Sequence, residues 1–369
     1  MQDSIPTFLE DSSGLDWADG YLWAVDNGTG TFYKLTAQAD GSVTFADGWE
    51  RGKRVRYAKD ADDPSAAGPD AEGITMAGDG NVYIASERGN SNKGVNYDVL
   101  LQVNPDAAES DVVASAEWDL TSQLPSVSAN MGIEAVEWVP NSMVDGALWD
   151  ANTKAPFESS NYHGIVDGVF FVALEDNGHV YAFVLNSDGT AQLISDIDAG
   201  IGGAMGLNYL QSEGILYVES DDGYDGRIAA VTLNGTSEPA IVQYSRPAGM
   251  PNVNNEGFAI SEQCVDQTRA AWFFQDGVAS GALRSIQIPC TAEQTEDPEN
   301  TETPGGEASE SATVQTSQGQ ETPGHTSDGS ATEVRKALPH TGTDSAGLMV
   351  IAAVLVAAGG ALTMVRRWA

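Results

Sequence analysis

The sequence predicts an all-β fold, and two observations support this prediction. Short segments such as SGLDWADGYLWAVD and EGITMAGDGNVYIAS alternate apolar and polar residues and contain Gly/Asp turns. Alternation with a period of two and Asp-Gly turns are typical of β-hairpins. Before the apolar run near the C-terminus, no stretch shows the 3.6-residue period of a long helix. Strands joined by tight turns are therefore expected throughout the body of the chain.

Five segments follow one template, which predicts that the sheets repeat a single unit. The segments begin near residues 14, 73, 134, 206 and 257, and each offers three or four strands over about 50–70 residues. A single sheet of this kind leaves its apolar faces open, whereas radial stacking covers them and ring closure removes the free ends. We expect residues 1–290 to form a β-propeller of five or six blades, with six favoured.

The last repeat is shorter than the others by a strand or two. We expect chain near the N-terminus to complete its blade, and residues 141–167 to form an insertion loop on one rim. The last repeat also holds both cysteines of the chain, Cys264 and Cys290. In an oxidising compartment they would close a loop of about 25 residues, worth about 3 kcal/mol in the chain-entropy account. We expect this disulfide to brace the blade, the alternative being two free buried thiols.

The chain is strongly acidic, with 54 Asp and Glu residues against 17 Lys and Arg residues. Such a surface repels the phosphates of nucleic acids and anionic lipids, so neither is an expected partner of the body. It suits cations, although the simpler explanation is a solvated surface that keeps a secreted protein soluble. A zinc site is not expected, because the chain has only four histidines and no C-x-x-C motif.

The C-terminus resembles the cell-wall sorting signal of Gram-positive surface proteins. The motif LPHTG is followed by a polar spacer, an apolar run over 346–365 and a basic end at Arg366 and Arg367. The run is long enough for a membrane-spanning helix, with the arginines on the cytoplasmic side. The resemblance implies cleavage by a sortase between Thr341 and Gly342, attachment of Thr341 to peptidoglycan, and only temporary residence of the helix in the membrane. A plain single-span anchor is the alternative. The motif consists of Leu338, Pro339, His340, Thr341 and Gly342.

Residues 291–337 are rich in Thr, Ser, Glu, Gly and Pro and have almost no large apolar side chains. They cannot bury enough surface to offset the entropy of ordering, so we expect a disordered linker that spans the wall. The sorting signal would then occupy 338–369. A wall-anchored protein needs a secretory signal, and MQDSIPTFLEDSS lacks the basic start and apolar core of one. We expect the true start to lie upstream, so that the protein is secreted onto the cell surface.

Because the template repeats, its acidic positions repeat as well. Equivalent positions of a propeller lie in rings about the axis, and carboxylates around one channel repel one another. Either some of them are protonated with raised pKa values, or a hard cation such as Ca²⁺ lies among them. Alternatively, these acids only accept hydrogen bonds from turn N–H groups. The candidate calcium ligands are Asp70, Glu72, Glu87, Glu134, Glu175, Glu219, Asp221 and Glu256.

The stretch DAEGITMAGDGNVYIASERGNSN resembles a segment of β-propeller phytases, and MGLNYLQSEGILYVESDD is similar to a later blade of the same proteins. More broadly, the chain resembles the phytase-like, esterase-like secreted propellers. The resemblance implies that Glu72 and Glu219 are calcium or catalytic carboxylates. It also implies that Arg88, Asn90 and Ser91 face the substrate phosphate.

Two departures from the phytase pattern bear on activity. Met205 stands where a glutamate is expected before Gly206, and the one basic run, WERGKRVRYAK, holds Arg54 and Arg56. This run is interpreted as a solvated strand edge or as a phosphate-facing lip. Two functions therefore remain open. One is a calcium-dependent hydrolase of phosphoesters or other esters, and the other is a non-enzymatic adhesin that binds a host surface ligand.

Overall fold

The computed structural model describes residues 9, 11–278 and 281–291, which all lie in the first of two compact units, Met1–Asp297. The predicted linker beyond Thr291, the sorting motif and the predicted span lie outside the described residues. Within the described part of the chain, no helix is long and apolar enough to cross a membrane.

The described chain folds almost entirely into antiparallel strands, and the first two blades occupy its first 119 residues. Blade 1 contains β1 (Ser12–Ala18), β2 (Tyr21–Asp26), β3 (Thr31–Ala37), β4 (Val43–Phe45) and β5 (Lys53–Arg56). Blade 2 contains β6 (Pro69–Met76), β7 (Val82–Gly89), β8 (Asn96–Val103) and β10 (Ala116–Asp119). The connecting strand β9 (Asp111–Val113) returns to blade 1 and pairs with β5 in parallel.

The remaining blades follow the same order from the axis outwards. Blade 3 contains β11 (Ile133–Pro140), β14 (Gly168–Leu174), β15 (His179–Leu185) and β16 (Ala191–Asp198). Blade 4 contains β17 (Ala204–Leu210), β18 (Ile215–Ser220), β19 (Ile228–Thr232) and β20 (Ala240–Tyr244). Blade 5 contains β21 (Asn255–Ile260), β22 (Thr268–Gln275) and β23 (Leu283–Pro289). Short 3-10 helices occur at Ala58–Asp60, Ser159–Asn161 and Asp222–Tyr224.

Five blades close the ring, which confirms the prediction of a propeller with five or six blades, although six was favoured. The inner strands β1, β6, β11, β17 and β21 contact one another in sequence, and β21 contacts β1. Some of the chain enlarges existing blades, through β4 and β5 in blade 1 and through the insertion in blade 3. Leu9 is buried against the last blade, but the chain before it, which was expected to complete that blade, lies outside the described residues.

A hydrophobic core fills each of the five gaps between neighbouring blades. The core between blades 3 and 4 includes Val144, Leu148 and Phe157 of the predicted insertion. That insertion is therefore a packed element, with α1 (Asn141–Val144), β12 (Trp149–Asp150) and β13 (Ala155–Pro156). Because no blade covers its own faces, these cores form only when the ring is assembled.

A β-bulge in every inner strand explains the repeated Glu-Gly pattern. The residue at the bulge has no direct partner on the neighbouring strand, so its side chain turns out of the regular alternation. The bulge residues in β6, β11, β17 and β21 are Glu72, Glu134, Met205 and Glu256. In β6, β17 and β21 a glycine follows the bulge residue, whereas Ala135 follows Glu134 in β11. The glycine lets the next blade approach, because a Cβ on Gly73 would lie 2.6 Å from the backbone nitrogen of Val136.

The far ends of the inner strands are joined by hydrogen bonds from side chains to the backbone of the next blade. Asp16 Oδ2 accepts from Met76 N at 2.7 Å, and Glu137 Oε1 accepts from Tyr209 N at 2.8 Å. Thr75 and Asn208 accept in the same way from Trp138 N and Ile260 N. Asp16 and Glu72 both belong to inner strands, but Asp16 lies at the opposite end of the axis from Glu72.

The disulfide joins Cys264 to Cys290, with the two Cα atoms 6.0 Å apart. Cys264 lies in the turn between β21 and β22, and Cys290 follows β23. The backbone N–H of Cys290 also donates to Gln267 O at 3.0 Å. The last strand of the three-stranded blade is thereby held at its end.

Candidate metal and active site

One end of the propeller axis, which we call the acidic mouth, collects the predicted acidic residues. Each inner strand starts at this mouth, and the second strand of each blade, which is antiparallel to it, ends there. Acids at strand starts and at second-strand ends therefore come together. All the predicted metal ligands belong to this end: Asp70, Glu72, Glu87, Glu134, Glu175, Glu219, Asp221 and Glu256.

Asp70, Glu72 and Glu87 form the tightest acidic group. One carboxylate oxygen of each lies within 4.8 Å of the others, and all three residues are buried. Arg88 forms an ion pair with Asp70 and a second with Glu87 Oε1, at 3.1 Å. Burial nevertheless raises the pKa of Asp70, and it raises the pKa of Glu87 to about 7. One guanidinium thus offsets only part of the charge of three buried carboxylates.

Glu72 is oriented by uncharged donors. Ser13 Oγ donates to Glu72 Oε2 at 3.0 Å, and Asn27 Nδ2 lies 2.9 Å from Oε1 and 3.0 Å from Oε2. Burial, and then the charges of Glu256 and Glu87, raise the pKa of Glu72 well above its usual range. The donors therefore hold the carboxylate in place without neutralising it.

Glu134 and Glu175 are neighbours at the mouth, because Glu134 lies at the start of β11 and Glu175 directly follows β14, the strand that pairs with β11. Burial raises the pKa of Glu134 well above its usual range, with further contributions from Glu72 and Glu87. Burial, and then the charge of Asp221, raise the pKa of Glu175 to about 6. The raised pKa values mean that these neighbouring acids hold their protons more tightly than free carboxyl groups do. Glu175 is also less buried than Glu134.

Glu219 supplies a carboxylate in the blade where the bulge residue is Met205. Glu219 pairs across the sheet with Gly206, and a Cβ on that glycine would lie 3.3 Å from Glu219 Oε2. Asn255 Nδ2 donates to Glu219 Oε1 at 3.2 Å. Among the described residues, Glu219 Oε2 and Glu256 Oε2 are buried without a hydrogen-bond partner. Two carboxylate oxygens are therefore left for a cation or a proton.

The three residues predicted to face substrate have different positions. Arg88 is 7% exposed and engaged with Asp70 and Glu87. Asn90 donates to Pro69 O at 2.7 Å and so holds the loop backbone. Ser91 is exposed at the surface. These positions favour a structural role for Asn90 and leave Arg88 as the residue closest to the acidic group.

Sequence reasoning missed four residues of this mouth. Asn27 and Asn255 orient glutamates, and Lys93 Nζ lies 3.9 Å from Asp70 Oδ1 with 57% of its side chain exposed. Asp98 is buried, accepts from Ile133 N at 3.1 Å and has a pKa raised by burial to about 6. In the sequence, the two asparagines stand directly beside acidic residues, in VDNG and NNEGF, and this adjacency could have identified them as part of the site. Asp98 lies inside a strand, and no pattern in the sequence marks it as a site residue.

The basic run is neither a solvated edge nor a phosphate-facing lip. Its strand, β5, lies between β3 and β9. Arg56 is buried and pairs with Asp111 at 2.7 Å, and Arg54 donates to backbone carbonyls including Pro64 O at 3.2 Å. These cations therefore secure connecting loops of blades 1 and 2.

Comparison with known proteins gives matches in two parts of the chain. A family model described as "Phytase-like: Esterase-like activity of phytase" matches residues 9–276. A model described as "LPXTG cell wall anchor motif" matches residues 332–367. No curated protein matches the chain.

Solved structures that resemble the chain do so weakly. A catalytically inactive virginiamycin B lyase from Staphylococcus aureus is 13% identical with a TM-score of 0.35, covering 77% of this chain and 72% of its own. The glutaminyl cyclase of Myxococcus xanthus is 8% identical with a TM-score of 0.40, covering 78% and 96%. Similarities at this level carry no information about activity.

Proposed function

Because this chain belongs to the phytase-like family, we propose that it is a calcium-dependent hydrolase of phosphoesters or other esters. The observation that supports this proposal most directly is the acidic group of Asp70, Glu72 and Glu87, in which one buried carboxylate oxygen of each residue lies within 4.8 Å of the others. Burial keeps water from screening the repulsion between these carboxylates, so they are stable together only if they bind protons or a cation.

The donor set fits Ca²⁺. The side chains that surround the mouth offer carboxylate and amide oxygens, which a hard cation prefers. Glu219 Oε2, Glu256 Oε2 and Asn255 Oδ1 are buried without hydrogen-bond partners among the described residues. Glu72 with its neutral donors, and Glu134 with Glu175, would also be available to hold the ion.

Bound calcium would hold an ester or phosphate oxygen, neutralise its charge and lower the pKa of a bound water. The chain's own residues would supply the rest. Lys93 is exposed beside Asp70 and would attract an anionic substrate group. Glu72 or Glu219, the predicted catalytic carboxylates, would act as ligand or as base. The half-buried Glu175 lies beside Glu134 and would exchange protons between the mouth and solvent.

The protein is secreted and anchored to the cell wall of a Gram-positive bacterium, as its LPXTG anchor motif indicates. The motif implies processing by a sortase and attachment to peptidoglycan through Thr341. The proposed substrate is accordingly a small ester or phosphoester outside the cell.

Calorimetric titration of Ca²⁺ into the chelator-treated full chain tests the proposal. We expect saturable binding, and we expect Glu72→Gln to weaken it by about tenfold or more because the variant removes one buried ligand charge. The control is Glu50→Gln, which removes the same charge from an exposed position. Hydrolysis of a panel of phosphoesters and carboxylic esters should then require calcium.

Absence of saturable heat at millimolar calcium would contradict the metal site. Calcium binding without hydrolysis of any panel member would favour the second candidate, a non-enzymatic propeller that binds a host surface ligand. One observation favours that candidate: Tyr224, in the turn that follows Asp221 at the acidic mouth, is 48% exposed and available for contact.

A further inference from the structure

The opposite end of the axis, the basal mouth, opens into a cavity of about 920 Å³. This volume is within the range of small-molecule sites. The cavity is separated from the acidic mouth by the layer of Gly14, Gly73 and Gly206, where the inner strands leave no space for a water molecule. The two mouths are therefore independent sites.

Acidic side chains outnumber basic ones in the lining of the basal cavity. Asp16 and Glu137 line it and are 5% and 6% exposed, and Glu262 lies at its side. Arg269 also lines the cavity, but it donates to Ser212 Oγ at 3.1 Å and lies 3.6 Å from Glu213 Oε1. An anionic ligand is disfavoured, because two of the three guanidinium nitrogens of Arg269 are engaged and the surrounding acidic groups would repel an anion.

Glu137 has one oxygen that the fold does not use. Its Oε1 accepts from Tyr209 N and joins two blades, whereas its Oε2 is buried with no hydrogen-bond partner among the described residues. Burial, and then the charge of Asp16, raise the pKa of Glu137 well above its usual range. A buried oxygen without a donor is costly, so a ligand that brings a positively charged donor would be stabilised there.

The spacing of the acids favours an organic cation over a metal ion. Within the described part of the chain, only Asp70, Glu72 and Glu87 bring three ligand atoms within 4.8 Å of one another. The carboxylates of the basal cavity are thus too dispersed to surround one ion. The cavity is also lined by Trp17, Trp138 and Met143, and aromatic faces attract organic cations.

We propose that the basal cavity binds an organic amine, whose ammonium group donates to the free oxygen of Glu137 and faces Asp16. This ligand is distinct from the ester substrate proposed for the acidic mouth, and the two sites can be tested separately.

Titration of 1,5-diaminopentane into the full chain, with calcium present to occupy the acidic mouth, tests the proposal. The neutral isostere 1,5-pentanediol serves as the matched ligand control. We expect saturable heat with the diamine and none with the diol. Glu137→Gln retains the acceptor for Tyr209 N but removes the carboxyl group that can ionise beside an ammonium, and it should weaken diamine binding by about tenfold or more. Asp188→Asn, which removes an exposed charge outside the cavity, should leave binding unchanged.

A second variant keeps the proposal testable if Glu137→Gln does not fold. Asn208→Asp keeps an acceptor for Ile260 N and adds a charge to the cavity, so it should tighten diamine binding. Equal binding of diol and diamine, no binding of the diamine, or an affinity that neither cavity variant changes would overturn the proposal.

Discussion

Arg88 brings a positive charge into the acidic mouth, where it meets Asp70 and Glu87. All three side chains are less than a tenth exposed, so water screens their charges poorly. Paired charges of this kind tolerate burial only while both partners are present. The carboxylates of Glu72 and Glu134 lie nearby without a cation of their own among the described residues, and they depend on protons or on a bound ion.

Removal of Arg88 should therefore destabilise the protein strongly. In the presence of chelator, we expect Arg88→Ala to lower the free energy of unfolding by about 3–5 kcal/mol, since two carboxylates lose their partner. Urea unfolding would measure the change, and added calcium should reduce it.

Arg227→Ala is the matched control for Arg88→Ala. Arg227 forms an ion pair with Asp225 at 3.6 Å, but half of its side chain is exposed. Its loss should cost about 0–1 kcal/mol. Equal effects of the two substitutions would show that Arg88 is not balancing buried charge.

At the scale of single elements, the inner strand combines a bulge with a glycine. The bulge turns residues such as Glu72 and Glu256 towards the mouth, and the glycine that follows lets the neighbouring inner strand pack against the backbone. The bulge followed by glycine thus both places a functional side chain and permits ring closure.

Gly73→Ala should disrupt this packing. The added Cβ would lie 2.6 Å from Val136 N and 2.8 Å from Ala135 Cα, and backbone atoms cannot move aside easily. We expect the free energy of unfolding to fall by about 1–3 kcal/mol or more, measured by chemical denaturation. Gly94→Ala is the control, because nothing lies within 4 Å of its added Cβ. A Gly73→Ala protein as stable as the control would contradict the close-approach role.

At the scale of the whole molecule, ring closure concentrates like charges from five blades around one axis. Burial raises the pKa values of Glu175 and Asp98 to about 6 and of Glu87 to about 7. The folded chain therefore holds protons at a pH at which the unfolded chain has released them. Stability from these groups is complete below their unfolded pKa values, near about 4, and is lost as the pH rises through about 6–7.

In chelator, the melting temperature should fall between about pH 5 and about pH 8. Saturating calcium should reduce or abolish this fall, since it binds the ionised carboxylates. Differential scanning calorimetry at both pH values, with and without calcium, would measure the effect. Exposed turn acids such as Asp40 and Asp188 have lowered pKa values. Their contribution to stability therefore changes below about pH 5, outside the range of this experiment. A melting temperature that rises with pH in chelator would contradict the argument.

Much of the fold could be predicted from local patterns. Alternation, Gly/Asp turns and the repeated template predict antiparallel blades, because a strand's two faces and its turns are encoded within about ten residues. The blade number could not be predicted in this way. Insertions such as 141–167 lengthen a repeat without adding a blade. Only the contact of β21 with β1 shows that the ring is complete with five blades.

The candidate site, like the fold, could be predicted only in part from the sequence. By itself, the sequence determined the repeated acids, the wall-anchor motif and the family segment around Glu72, since each is a contiguous pattern. Only the tertiary structure decided that Asp16 lies at the opposite mouth, that Glu219 enters the space beside Gly206, and that Arg88 is already paired. The physical reason is that burial and charge balance depend on neighbours from other blades, which ring closure brings together from distant parts of the chain.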